Sequence, residues 1–389
     1  MNTFTTSFTP LNELVINYHI TEACNYACKF CYAKWNKPNE LHSQNDQAEQ
    51  LLQQLADYFI KNRDNLVQQQ MPYRNVRLNF AGGEPLILKQ RFAEIANKAA
   101  ELGFNLSLIT NGHYLTNEFI DNYANLFSMI GISFDSLFSL GRIQIGRVDR
   151  KGYSLTNGEL LSKVARLRAV NPAIKIKINT VVNSVNQNED FNQLITQIAP
   201  YKWKVLRVLP VLNDNLTISK TEFDAFVTRH NKQQQLMSVE DNQTMVNSYL
   251  MLDPKGRFYK NEMVDGDYQY SDCLLESSVK TALTQTDTNW QRFAQRYQTE
   301  SKSVVRKANK IKLLPDFLQI KSAGIATKLA EGIHPLALGA KKIRCLPKLY
   351  RIRISHSYRV LIGLEDNHWT SLGLYSRQSF TTLLNRRRR

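Results

Sequence analysis

Cysteine is scarce, with five residues in a chain of 389, and their spacing does not make a disulfide framework. Long apolar runs are missing too. No stretch of about 20 apolar residues offers a bilayer span, and the first residues have neither the charged start nor the apolar core of a secretory leader. A cytoplasmic protein with no membrane attachment is the expectation. Acidic residues fall short of basic ones, 34 against 50, for a net charge of +16. The shortfall is local. Residues 301–389 hold 19 Lys/Arg and 4 Asp/Glu, a balance of +15, whereas the first 300 hold 31 and 30. This asymmetry predicts two domains, 1–300 and 301–389, the second facing an anionic partner such as nucleic acid.

Three of the few cysteines crowd into Cys24-Asn25-Tyr26-Ala27-Cys28-Lys29-Phe30-Cys31. Three thiolates can hold three irons of a four-iron, four-sulfur cube and leave the fourth iron open to a small molecule. Cys24, Cys28 and Cys31 are therefore candidate ligands of a [4Fe-4S] cluster, which also needs a reducing compartment. Zinc is the competing reading. Zinc sites usually close with four ligands in paired spacings, and no second Cys or Cys-His pair follows here. Cys273 and Cys345 lack partner spacing and read as core thiols.

Strand and helix signals alternate through the first 300 residues. Leu14–Ile20 reads as a strand leading into the cysteine loop, and Asp46–Asn62 as a helix with Ala48, Leu51, Leu52, Leu55 and Phe59 on one face. Val76–Phe80, Leu106–Thr110, Met129–Phe134, Ile174–Val182 and Trp203–Leu209 read as strands, and Arg91–Leu102 and Asp190–Ile198 as helices. Short connections predict parallel βαβ units, and six of them predict an α/β fold, a partial (β/α)6 barrel. In such barrels the chemistry sits on loops after the strands.

Those loops carry the motifs. Gly82-Gly83-Glu84-Pro85 follows the second strand, where missing Cβ atoms permit close approach of a ligand. Thr110-Asn111-Gly112 follows the third, as a plain turn or a ribose or carboxylate contact. Asp135 and Ser136 end the fourth, as a helix cap or a ligand contact. Lys175, Lys177 and Asn179 alternate with isoleucines, so one face of that strand is polar. Inside a barrel two lysines need an anionic occupant, and a triphosphate would serve. Arg142, Arg147, Lys202, Lys204 and Arg207 add cations near neighbouring strand ends.

The cysteine motif matches the signature of the radical S-adenosylmethionine (SAM) enzymes. In that family the open iron chelates SAM, which is cleaved reductively to a 5′-deoxyadenosyl radical, so an electron donor is implied. The resemblance makes Gly82, Gly83, Glu84, Asn111, Asp135 and Ser136 SAM-site residues. Further blocks narrow it: Asn17-Tyr18-His19-Ile20-Thr21, Ile145-Gly146-Arg147, Lys177-Ile178-Asn179-Thr180-Val181-Val182-Asn183, Trp203-Lys204-Val205 and Asn247-Ser248-Tyr249-Leu250-Met251-Leu252-Asp253. Over residues ~10–300 the chain resembles the viperins, most of all their prokaryotic members. The resemblance implies removal of the ribose C4′ hydrogen and loss of the 3′-hydroxyl from a ribonucleoside triphosphate. The product is a 3′-deoxy-3′,4′-didehydro chain terminator in antiviral defence. It assigns triphosphate contacts to Arg147, Lys177 and Lys204, a base or sugar contact to Asn179, and a catalytic place near the ribose to Tyr249. CTP is the first substrate choice, with UTP and GTP open. Asp287–Arg296 resembles the approach to the family's closing tail, but Tyr297-Gln298-Thr299-Glu300 does not continue it.

The basic end reads as a small α+β domain. Val304–Lys312 and Leu318–Leu329 are expected helices, and Leu349–Ile354, Tyr358–Leu364 and Thr370–Tyr375 a strand meander. The run from Tyr350 through Arg351, Arg353, Tyr358 and Arg359 to Arg377 resembles the RelE/ParE toxins, some of which cleave messenger RNA on the ribosome while others target gyrase. RNA or ribosome contact is thus implied, with a plain basic binding domain as the alternative and Arg386–Arg389 as a solvated tail. A radical SAM enzyme on another substrate, and an RNA-targeting protein with a degenerate barrel, are the competing readings of the whole chain.

Overall fold

The structure, a computed structural model, describes residues 10–31, 39–44, 46–209, 216–241, 248–264, 267–286 and 288–297 of a first unit. Of a second unit it describes 321, 324–325, 327–329, 331–343, 349–355, 357–365 and 368–376. The two units divide after Ser301.

The first unit is a ten-stranded sheet with helices between its parallel strands. Six strands run in sequence order, β1 (Leu11–Thr21), β2 (Tyr73–Gly82), β3 (Asn105–Thr110), β4 (Phe127–Ser133), β5 (Lys175–Val182) and β6 (Lys202–Arg207), each parallel to the next. Between β1 and β2 lie α1 (Gln47–Ala56), which continues as one wide turn through Lys61, and the short α2 (Leu66–Gln70). Then come α3 (Gln90–Glu101), α4 (Asn117–Tyr123), α5 (Ser139–Ile145), α6 (Asn157–Val170) and α7 (Asn192–Ile198). The six βα units of the sequence reading are present, and their strand boundaries lie within a few residues of those expected.

Four strands went unforeseen. After α8 (Lys220–Arg229), β7 (Met237–Glu240) adds parallel beyond β6. On the other edge β8 (Leu250–Leu252) lies parallel to β1, and β9 (Arg257–Val264) and β10 (Asp267–Cys273) continue antiparallel, followed by α9 (Val279–Thr286) and a helical segment over 290–297. The ladder order is β10-β9-β8-β1-β2-β3-β4-β5-β6-β7.

Packing follows the apolar pattern. Leu51, Leu52, Leu55 and Phe59 bury the α1 face, and Phe92 packs edge-on to Phe80 at 5.2 Å. Side chains this size contribute about 1.5–3 kcal/mol each when fully buried. Trp203 on β6 is fully buried, and its indole N–H donates to Thr180 Oγ1 at 3.0 Å. Because β1–β8 are mutually parallel, their C-terminal ends share one edge, and the cysteine loop, Glu84, Asn111, Asp135 and Glu240 all sit there.

In the second unit β11 (Lys341–Lys342), β12 (Leu349–Arg353), β13 (Tyr358–Glu365) and β14 (His368–Ser376) form an antiparallel sheet. Leu329, Ala340, Tyr350, Ile352, Val360 and Ile362 make its core. Part of the helix expected over Leu318–Leu329 is present at 327–329. The helix expected over Val304–Lys312, Cys345, Asn247, His356, Asp287, Gln298-Thr299-Glu300, Arg377 and the Arg386–Arg389 tail lie outside the described residues. No described helix is long and apolar enough to cross a membrane.

Candidate active site

Two other loops hold the cysteine loop by its backbone. Gly83 N–H donates to Thr21 O at 2.7 Å and Glu84 N–H to Ala23 O at 2.8 Å. From the other side, Ala27 N–H donates to Gly146 O at 3.2 Å and Lys29 N–H to Ile145 O at 2.9 Å. These approaches leave no room for side chains. A Cβ on Gly83 would stand 2.2 Å from Ala23 O, and one on Gly146 would stand 2.3 Å from Ala27 O. Gly82 has φ +132° and its Cβ would lie 2.3 Å from Thr21 O. The glycines expected to admit a ligand therefore admit the protein's own backbone.

Glu84 is fully buried and joins two of the predicted loops. Its carboxylate accepts from Thr110 Oγ1 at 2.7 Å, Asn111 N–H at 2.6 Å and Leu86 N–H at 3.2 Å. Burial pushes its pKa up to about 7, against the pull of those donors. Asn111 reaches back, donating to Asn25 Oδ1 at 2.8 Å and lying 3.8 Å from Cys24 Sγ. Asp135 is buried, accepts from Val181 N–H at 2.7 Å and pairs with Arg147, whose guanidinium lies 6.0 Å from the Phe30 ring centre. Ser136 donates to Glu189 at 2.6 Å, a buried carboxylate that also accepts from Leu137 N–H. Glu84, Asp135 and Ser136 thus spend their polar atoms on joining loops.

The three thiols suit an iron–sulfur cluster. They are close enough that ionised Cys28 and Cys31 would each raise Cys24 further, though burial is the main cause that pushes the Cys24 thiol up to about 12. Burial raises Cys28 as well, against the Arg147 guanidinium. Metal binding offsets such a penalty by binding the thiolates. Among the described residues no three Cys, His, Asp or Glu side chains are close enough to share a single ion. A cube with one cysteine per iron does not require that. Beside the thiols, Asn25 Nδ2 is buried with no hydrogen-bond partner among the described residues, as is Asn179 Oδ1 on β5. Orphaned polar atoms of this kind fit an absent ligand. Cys273 instead donates to Lys255 O at 3.2 Å, apart from the cysteine loop.

A second constellation gathers around Glu240. Lys204 on β6 sits 2.9 Å from Glu240 at the end of β7 and donates to Tyr249 Oη at 2.6 Å. Tyr249 Oη donates to Glu240 at 2.8 Å. Arg296, from the 290–297 segment, pairs with Glu240, donates to Tyr249 Oη and to Ser248 Oγ at 3.1 Å, and lies 3.9 Å over the Tyr249 ring. Burial alone would raise the Glu240 pKa, but Lys204 and Arg296 hold it well below the carboxylate range. Burial drives the Tyr249 phenol the opposite way, well above its usual value, with Glu240 adding to the rise. Asn179 is the direct cross-strand neighbour of Lys204 and of Ser133, and Lys177 that of Lys202.

Some cations stand elsewhere. Lys175 is exposed and lies 5.1 Å over the Tyr201 ring. Arg142 is buried, donating to Ser136 O and Ser154 Oγ, and Arg207 donates to Ile218 O. Sequence reasoning missed Glu240, Arg296 and Glu189. Glu240 and Glu189 are single charged residues in ordinary stretches, and Arg296 ends the stretch that resembles the approach to the family's tail; only their tertiary partners mark them as site residues.

Known proteins resemble the chain in two separate parts. The radical SAM superfamily model matches residues 18–198, and a ParE-like toxin domain model matches residues 317–382. An S-adenosylmethionine-dependent nucleotide dehydratase of Pseudoalteromonas ulvae is 45% identical over 294 residues, covering 75% of this chain and 95% of its own. One of Psychrobacter lutiphocae is 38% identical over 291 residues, covering 74% and 96%. Among solved structures, anSMEcpe with bound AdoMet aligns with a TM-score of 0.52 at 14% identity, covering 73% of this chain and 82% of that one, a likeness of fold.

Proposed function

Because the chain belongs to the SAM-dependent nucleotide dehydratases of the radical SAM superfamily, we propose that it converts a ribonucleoside triphosphate, CTP first and UTP or GTP next, to its 3′-deoxy-3′,4′-didehydro analogue. Such a product lacks the 3′-hydroxyl that a polymerase extends, which would make it a chain terminator in antiviral defence. Cys24, Cys28 and Cys31 would hold the [4Fe-4S] cluster. Gly82, Gly83, Glu84, Asn111, Asp135 and Ser136 would shape the SAM site, Glu84 and Asp135 by fixing loops. When bound, cluster and SAM supply the one-electron chemistry that begins removal of a ribose hydrogen.

The observation that carries this reading is the cluster of Lys204, Arg296 and Tyr249 around Glu240, which ends β7 at the C-terminal edge of the sheet that the cysteine loop also follows. Lys204 is 12% exposed and Glu240 7%, so both charges are largely withdrawn from water. Lys204 and Arg296, two largely buried cations gathered at one carboxylate, are the kind of group a polyphosphate would engage. On arrival the triphosphate takes over Lys204 and Arg296 from Glu240, with Lys177 and Arg147 completing the contact. Asn179 Oδ1 accepts from base or sugar. Tyr249 keeps its proton and presents it beside the ribose. Anaerobic reconstitution with SAM, a reductant and each ribonucleoside triphosphate tests the reading. A product lighter by one water, formed with 5′-deoxyadenosine, supports it; 5′-deoxyadenosine with every triphosphate unchanged sinks it.

The second unit supports a further role. Lys341 and Arg351 are direct cross-strand neighbours, as are Arg353 and Arg359. Lys341, Arg351 and Arg353 are exposed, and Arg351 and Arg353, two apart on one strand, share a face that would attract an anion. The unit would use this basic face to bind RNA, on the ribosome or free, as the ParE-like match and the +15 balance of its residues suggest.

A further inference from the structure

The chain leaves β1 at Thr21, makes the cysteine loop and meets Thr21 again 19 residues later, at Glu40. That meeting rests on one carboxylate. Glu40 Oε2 accepts from Thr21 Oγ1 at 2.7 Å, and Glu40 Oε1 accepts from Glu22 N–H at 2.7 Å. Thr21 Oγ1 in turn accepts from Ala23 N–H at 3.0 Å. Glu40 thus orders, directly or through Thr21, the N–H groups of the two residues before Cys24. The carbonyls of Thr21 and Ala23 are the ones that Gly83 and Glu84 hold. The run into Cys24 is therefore fixed by backbone groups at its carbonyls and by a side chain at its N–H groups. Neither bond to Glu40 belongs to the β ladder, since one comes from a side chain and the other from a residue past the end of β1.

The carboxylate is itself held in place. Glu40 is 12% exposed, and His42 Nε2 lies 2.7 Å from its Oε2. Leu41 N–H donates to Pro254 O at 2.9 Å. Arg91 Nε donates to His42 O at 2.9 Å while its guanidinium spans Glu49. The turn Leu41–Ser43 is thereby tied to the loop after β8 and to α3. Burial would raise the Glu40 pKa, but the bonds from His42, Glu22 N–H and Thr21 hold it below its usual value. The group is an anion at neutral pH, and hydrogen bonds to an anion are stronger than those between neutral groups.

We propose that Glu40 is a positioning residue for the [4Fe-4S] cluster: it closes the neck of the cysteine loop and so holds Cys24 in place for iron. The inference rests on the cluster reading of the three cysteines and is independent of the nucleotide. A group that orients a metal ligand from behind is worth about 10–100-fold in metal affinity.

The test uses the full-length chain and two variants, Glu40→Ala and Glu40→Gln. Two measurements need no turnover. Hydrogen exchange on the metal-free proteins reads the neck, and the rate at which the reconstituted proteins lose iron to a chelator reads the cluster. In Glu40→Ala the amides of Glu22 and Ala23 should exchange faster than in the native chain, while those of β2–β5 keep their native rates. Iron should leave about tenfold faster or more. A glutamine keeps an oxygen for Glu22 N–H and offers an N–H to Thr21 Oγ1. Glu40→Gln should therefore recover much of the protection and lose iron at a rate between the other two. Iron loss from Glu40→Ala at the native rate overturns the proposal. So does exchange that quickens throughout the sheet, since Glu40 would then serve the fold and not the loop. Failure of the nucleotide chemistry in a native chain that keeps its iron would sink the substrate reading and leave this result standing.

Discussion

Lys204 and Glu240 meet at 2.9 Å although they are not register partners. Lys204 pairs with Ser238 across the β6–β7 ladder, and Glu240 lies one pleat further along the same face. On the proposed reading, Glu240 holds the place that a substrate phosphate would take. Replacing it by Gln should remove the carboxylate that Lys204 and Arg296 share. Breaking one side of a buried ion pair costs about 3–5 kcal/mol. Glu240→Gln should melt lower than the native chain, and tripolyphosphate should raise its Tm by more than it raises the native Tm. Equal shifts in a thermal melt would remove Glu240 from this role.

Gly83 and Gly146 are closed to any side chain by the cysteine loop itself. Gly83→Ala and Gly146→Ala should push that loop out of place and lower iron bound per chain after anaerobic reconstitution. Gly158→Ala is the control, because nothing lies within 4 Å of its added Cβ. Iron content equal in all three would contradict the loop argument.

His19 gives a pH dependence with a defined sign. It is buried beside the Tyr259 hydroxyl, 3.0 Å away, and burial lowers its pKa to about 4 from an ordinary 6.5. The unfolded chain takes up a proton near 6.5 and the folded chain does not. Its contribution is therefore complete above about pH 6.5 and lost as pH falls toward 4, on the order of 3 kcal/mol in full. Urea midpoints at pH 7.5 and pH 5 should fall more for the native chain than for His19→Gln.

The two units should fail separately. Cys28→Ala should abolish bound iron and nucleotide product while RNA affinity is unchanged. Arg351→Glu with Arg353→Glu should weaken RNA binding and leave the product untouched. Native RNA affinity should fall steeply with salt, since each neutralised phosphate releases counterions. A flat salt response in a filter-binding titration would count against the basic face.

Legibility in the sequence followed local pattern. Strands β1–β6 announce themselves because each is a β-branched or apolar run ending in a motif, as Val76–Phe80 ends in Gly82-Gly83-Glu84. Three-residue β8 and the tyrosine- and charge-rich β9 and β10 carry no such pattern, and they form by completing an edge beside β1. Gly82 and Gly83 stood out for the right property, absence of a Cβ, but their close neighbours are the carbonyls of Thr21 and Ala23. Arg147 and Asp135 were separate motifs in the sequence and are one ion pair in the fold. Glu240 was invisible because its meaning depends on Lys204 and on Arg296, 56 residues further along the chain.

The grip on the cysteine loop also sets a timetable. Cys24, Cys28 and Cys31 leave the ribosome early, but the backbone groups that seat their loop belong to Gly83, Glu84, Ile145 and Gly146. A nascent chain that ends before Ile145 can offer the thiols at most half of that seat, the side made by Gly83 and Glu84. Iron delivery to this protein is therefore a task for the cell after much of the sheet has been made, and the interval before it is when the thiols are most exposed to damage.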